Sequence, residues 1–232
     1  MKHSNLLTLF SPLLISLIFL SPTANAGLIA SDLGNATSGL VDGSTYALVP
    51  DILNAQAGQP APFDAGIGSE LLPFILNDSH WIHNYGVITD TILSASFSFG
   101  IWDHDSAASG SQLDAFSLGS IDTTAALDAM FESGGGATDA QYSVYTFNLG
   151  AAFFTDLADG NFSVDLDIGG AGLQTALIGG QVSETAANGY HLIYSSLNIV
   201  TEDSGPEPEP VPEPSTLLLF VLSLAGLKAR IK

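Results

Sequence analysis

Residues 91–102 place Leu93, Ala95, Phe97, Phe99 and Ile101 at every second position, with Ser94, Ser96, Ser98 and Gly100 between them. An extended chain sends alternate side chains to opposite faces, so this run predicts a strand with one face in a core and a serine face in water. Phe162, Val164, Leu166 and Ile168, alternating with Ser163, Asp165 and Asp167, predict a second strand. Further strands are expected at 46–49, 142–149, 173–182 and 190–200. Helical spacing is confined to 122–131, where Asp122 is placed to cap the first turn and three glycines follow the end, and to a turn at 151–157. Many strands without a strand–helix–strand rhythm predict an all-β fold, an antiparallel two-layer β-sandwich of jelly-roll-like form.

The two ends of the 232-residue chain break this pattern. Lys2 precedes an apolar run over residues 6–20, and small residues stand at Ala24 and Ala26. A basic start, a short apolar run and a small-x-small site predict a signal peptide over 1–26, delivered by the secretory translocon and cut by signal peptidase before Gly27. The β-sandwich ectodomain is expected over 27–201. Residues 202–214 form an acidic, proline-rich linker whose prolines favour an extended backbone. Residues 215–232 contain an apolar stretch at 217–227 and a basic end at Lys228, Arg230 and Lys232, expected to form a short transmembrane helix with its cations in the cytoplasm.

Pro212, Glu213 and Pro214, followed by Ser215, Thr216, the apolar stretch and the basic end, resemble the PEP-CTERM sorting signal of Gram-negative bacteria. The resemblance covers only the last two dozen residues. It implies that exosortase, a membrane-embedded sorting enzyme, recognises Pro212, Glu213 and Pro214. It further implies transient anchoring in the inner membrane, with Lys228, Arg230 and Lys232 as the stop. The final destination it implies is the cell surface or an exopolysaccharide-rich biofilm matrix. The order of elements over 75–200 is similar to jelly-roll ectodomains attached to such tails.

Charge sharpens the picture. The only four basic residues are Lys2, Lys228, Arg230 and Lys232, so residues 27–213 hold all 24 Asp and Glu without one Lys or Arg. Such a surface repels nucleic acid and attracts divalent cations. The absence of cysteine removes disulfides, thiol nucleophiles and thiolate metal sites.

Four constellations invite chemistry. The loop after the first strand carries Asp103, Asp105 and Asp114, oxygen donors suited to calcium, although it lacks the closing glutamate of an EF-hand. Asp156 and Asp159 beside Gly160 and Asn161 form a weaker candidate. Trp81 and Trp102, with Tyr85, are candidate sugar-stacking residues. His80 and His83 face opposite sides of a strand, which disfavours a shared zinc. No nucleophile-elbow, phosphate-loop or metalloprotease motif occurs. The expectation is therefore a noncatalytic structural or adhesive protein whose partners are the export machinery, exosortase and matrix polysaccharide. A calcium-dependent carbohydrate-binding module is the alternative, and a glycoside hydrolase the third reading.

Overall fold

The computed structural model describes residues 25–45, 48–68, 78–175 and 182–203. In chain order the elements are β1 (Asn25–Gly34), α1 (Val49–Gln56), β2 (Gly66–Gly68), β3 (Asp78–Asn84), β4 (Ile92–Trp102), β5 (Leu113–Leu118) and β6 (Ile121–Asp122). They continue as α2 (Thr124–Phe131), β7 (Tyr142–Leu149), α3 (Phe154–Ala158), β8 (Asn161–Ile168), β9 (Leu173–Thr175), β10 (Val182–Glu184) and β11 (Gly189–Asp203).

The fold is all-β. One antiparallel sheet runs β1-β11-β4-β7, with β2 also on β11, a second runs β3-β8-β5-β6, and β9 and β10 form a small two-stranded third. The facing sides of the first two supply one core: Phe97, Phe99 and Ile101 from β4 meet Phe116, Phe162, Val164 and Leu166 from the second sheet. The rings of Phe97, Phe99, Phe116 and Phe147 lie 5.5–6.5 Å apart between centroids, tilted against one another. Tilted pairs at this separation add favourable ring contacts to the gain from area burial. Leu127 and Phe131 of α2 and Leu157 of α3 close the same core.

The alternation in β4 holds from Ala95 to Phe99 and gives way at both ends: Gly100 and Trp102 are buried on the outer side, Trp102 under α1, and at the start it is broken by a bulge. Leu93 is half exposed whereas Ile92 is buried, because the register on β11 jumps from Ser94↔Val200 to Ile92↔Thr201 and leaves Leu93 as the extra residue of a bulge. Strand β8 alternates as its sequence predicts. In place of the single strand expected over 173–182, Leu173–Thr175 and Val182–Glu184 are two short strands, β9 and β10, paired antiparallel; residues 176–181 lie outside the described residues. The expected strand at 46–49 is corrected at its end, since Val49 opens α1. Pro50 at the first turn favours that start, having no N–H to leave unbonded. Buried Ile52 and Ala55 then lay α1 over Trp102, Tyr142 and Ile193 on the outer side of the first sheet.

Strand β11 is the last strand among the described residues and an interior one, hydrogen-bonded to β1, β2 and β4. Asn25 pairs with Asp203, so both ends of the paired domain leave from the same pole. Ala26 lies inside β1, opposite Glu202. Ala24, Pro212, Glu213, Pro214, Lys228, Arg230 and Lys232 lie outside the described residues. Among the described residues no helix is long and apolar enough to cross a membrane.

Candidate functional site

The loop leaving β4 is built around two aspartates in left-handed backbone, Asp103 (φ 64°) and Asp105 (φ 50°). Asp tolerates this region better than most residues because its short side chain bonds nearby backbone. Asp103 Oδ1 accepts the Ala140 N–H at 2.6 Å, and Asp105 Oδ2 accepts that of Leu173. Between them the His104 carbonyl accepts Asn188 Nδ2 at 2.6 Å. Ser106 Oγ donates to the Phe131 carbonyl at 2.8 Å and accepts the Ala137 N–H at 2.7 Å. A Cβ at Gly136 would overlap the Ser106 backbone, so the 133–137 turn needs glycine at that point.

This scaffold brings carboxylate oxygens of Asp103, Asp105 and Asp139 within 4.8 Å of one another. Asp139 was not in the predicted set, whereas Asp114 is placed elsewhere, in the β5 bulge beside Gly169 and near Asp167. Asp105 is wholly buried. Burial pushes the Asp139 carboxyl up, and a hydrogen bond from the Asp103 side opposes that rise. With no Lys or Arg between 27 and 213, only a proton, a histidine or a solution cation can offset this cluster. His104 is a poor candidate. Burial drives its imidazole down to about 3, and its ring is enclosed by Phe131, with centroids 4.4 Å apart, and by Tyr145, whose hydroxyl lies 2.7 Å from Nε2.

The second acidic group lines a cleft of about 120 Å³ formed by Gly119, Ser120, Asp156, Asp159, Asn161 and Ser163. Asp156 Oδ2 already accepts the Ser120 N–H at 2.6 Å, which serves the turn. Tyr85 donates to the Leu157 carbonyl at 2.7 Å, and burial, with Asp159 and Asp156 nearby, raises its hydroxyl to about 12.

Neither tryptophan offers a face to a sugar. Trp81 is 4% exposed, packs edge-on to Phe63 and donates Nε1 to Ser195 at 3.0 Å; Trp102 is 6% exposed beneath α1. Both rings belong to cores, which corrects the stacking expectation. His80 and His83 point to opposite sides of β3 as their spacing requires. His80 forms an exposed pair with Asp165 at 2.6 Å, a contact that solvent weakens.

His83 instead sits inside the sandwich. Its Nε2 lies 2.8 Å from Ser195 Oγ on β11 and its Nδ1 3.0 Å from Ser31 Oγ on β1, so one imidazole links the two sheets. Since Trp81 donates to Ser195, the Ser195 hydroxyl is free to donate to Nε2 while Nδ1–H donates to Ser31. In that chain the ring is neutral. Burial accordingly pushes His83 down to about 4, against the opposing pull of Ser31 and Asp32.

Residues 210–232 match the family model of the PEP-CTERM protein-sorting motif. No curated protein matches the chain.

Proposed function

Starting from a chain that carries the PEP-CTERM sorting motif, and is therefore an exported protein processed by exosortase, we propose that its β-sandwich is a noncatalytic structural or adhesive component of the cell surface or extracellular matrix. On this reading, the secretory translocon and signal peptidase handle its N-terminus. Matrix polysaccharide is its partner after sorting.

The observation that carries the noncatalytic part is the state of its serine–histidine pairs. Among the described residues Ser195–His83 lies at 2.8 Å, Ser31–His83 at 3.0 Å and Ser106–His104 at 3.5 Å; Ser195, Ser106 and both histidines are fully buried, and the half-buried Ser31 faces the nitrogen that donates to it rather than one that could take its proton. The Ser195 hydroxyl is engaged by Trp81, and that of Ser106 by Phe131 and Ala137. A nucleophile must reach a substrate with its lone pair available, and neither hydroxyl does. The test is to incubate the exported protein with the producing cell's matrix polysaccharide. The expected result is co-sedimentation without release of reducing sugar ends; steady release of such ends contradicts the proposal.

A calcium-dependent variant of this reading draws on the convergence of Asp103, Asp105 and Asp139. Calcium prefers six to eight oxygen ligands, and these carboxylates with backbone carbonyls of a nailed loop are donors of that kind. A cation bound only by the native state raises the melting temperature by mass action. The expected result is a rise of several degrees at millimolar calcium that Asp139→Asn largely removes. An unchanged melting temperature at that concentration eliminates the variant.

A further inference from the structure

The two outer faces of the sandwich differ in charge. On the second sheet Asp78 stands directly opposite Asp167, Asp165 opposite His80, and Asp122 opposite Ser117. Asp114 adds its field to the same surface, and together with burial these neighbours push the Asp167 carboxyl up. On the first sheet the register aligns two rows across three strands: Asn198, Ser96 and Asn148, then Ser196, Ser98 and Thr146. Strand β1 continues the rows with Ala30 and Asp32, and Asp32 is the single carboxylate in them, accepting the Ser196 hydroxyl at 2.5 Å. Neighbouring groups in such a sheet repeat about every 4.8 Å across strands and ~7 Å along them, giving a flat array of donors and acceptors.

One aromatic ring ends this array. Tyr194 pairs with Gly100, and a Cβ at Gly100 would overlap the Tyr142 hydroxyl as well as the Tyr194 ring, so the glycine makes room for both; the half-buried Tyr194 ring lies against the sheet at the margin of the cluster under α1. Its hydroxyl meets that of Ser98 on the adjacent strand, with Asp42, which accepts the Val144 N–H of β7 at 2.8 Å, and Asp32 near it at the margins of the face. An aromatic ring lying on a sheet beside hydroxyl and amide groups fits a pyranose chain, whose faces are apolar and whose rims are hydroxyl-rich.

We propose that the outer face of the first sheet is the glycan-binding surface of this protein and that it takes an uncharged polysaccharide. The inference rests on the matrix-polysaccharide reading and goes further by assigning the surface and the charge class. An acidic polymer approaching this face would meet the field of a domain without side-chain cations between residues 27 and 213, whereas a neutral one pays no such electrostatic cost.

Affinity electrophoresis of the exported protein through gels containing a soluble neutral glucan, a galactomannan or polygalacturonate tests the assignment, each mobility being taken relative to a polymer-free gel. The expected result is retardation in a neutral gel and none in polygalacturonate. Thr146→Asp combined with Asn148→Asp, both at exposed positions of β7, is expected to weaken that retardation at least tenfold. Tyr194→Phe keeps the retardation and Tyr194→Leu loses it, whereas Asn84→Asp on the opposite sheet changes nothing. Retardation of the parent protein that the β7 pair leaves intact overturns the surface while the matrix reading stands. No retardation in either neutral gel, or stronger retardation in polygalacturonate, overturns the proposal, and the former removes the glycan partner as well.

Discussion

Acidification from pH 6.5 to pH 4 is expected to destabilise the domain by several kcal/mol through two histidines, His83 and His104. Burial holds the first down to about 4 and the second to about 3. In the unfolded chain both titrate near 6.5, so below that pH the unfolded state binds more protons and stability falls with pH. The loss begins as pH drops through 6.5 and levels off only below each folded-state value. At about 1.4 kcal/mol per pH unit of differential binding, each residue contributes a loss of about 2 kcal/mol at pH 5 and about 3 at pH 4. Domain stabilities are on the order of 5–15 kcal/mol, so the pair removes a large share.

Asp139 and Asp167 act with the opposite sign, because their folded-state values are raised and their protonation favours the folded form as pH falls. Relief of repulsion among the 24 acids works in the same direction. The histidine contribution is therefore isolated by difference. His83→Gln keeps a neutral hydrogen-bonding side chain, and urea unfolding at pH 7 and pH 4.5 should show its acid-induced loss reduced by about 2–3 kcal/mol relative to the parent. Equal losses in both proteins would show that His83 is not buried as the neutral ring linking the sheets.

Removing β11 is expected to abolish folding altogether. A chain ending at Asn188 lacks Tyr190, Leu192, Ile193, Leu197 and Ile199, all buried, together with the ladders to β1, β2 and β4. Burying each such side chain contributes about 1.5–3 kcal/mol, which sums to the order of the whole stability of a domain. The truncated chain should show no cooperative unfolding transition and rapid proteolysis, whereas a chain ending at Asp203 should retain both the transition and protease resistance. A cooperative transition in the shorter chain would contradict the interior placement of β11. The topology also orders export. Among the described strands β1 pairs with β11 alone, some 170 residues later in the register, so the β1 edge of the first sheet is completed only after residue 203 has crossed.

The strands with a clean two-residue period were legible from sequence, as Phe97, Phe99, Val164 and Leu166 show by all lying inside the sandwich. Helix α1 was missed because Leu48 and Val49 suit a strand, although Pro50 at its first turn was a signal for the opposite assignment. The acidic loop was legible only in part: Asp103 and Asp105 are local, but Asp139 reaches them through a turn 34 residues beyond Asp105, and no local pattern encodes that approach. Trp81 and Trp102 show the reverse failure. Their chemistry suits either a sugar or a core, and the choice is made by Phe63 and Ser195 for one and by α1 for the other, all distant in sequence. The hydroxyl- and amide-rich face of the first sheet is likewise a product of register, since Asn148, Ser96 and Asn198 become neighbours only when three strands align.

Processing at both ends, as proposed, takes Asn25 and Ala26 of β1 with the signal peptide and leaves the rest of the sandwich intact. Intact-mass spectrometry of the protein recovered from the producing cell's surface or matrix reads both ends in one spectrum. The expected species starts at Gly27 and lacks residues 217–232. A chain of full length from Met1 to Lys232, recovered from the cytosol in soluble form, would contradict that processing.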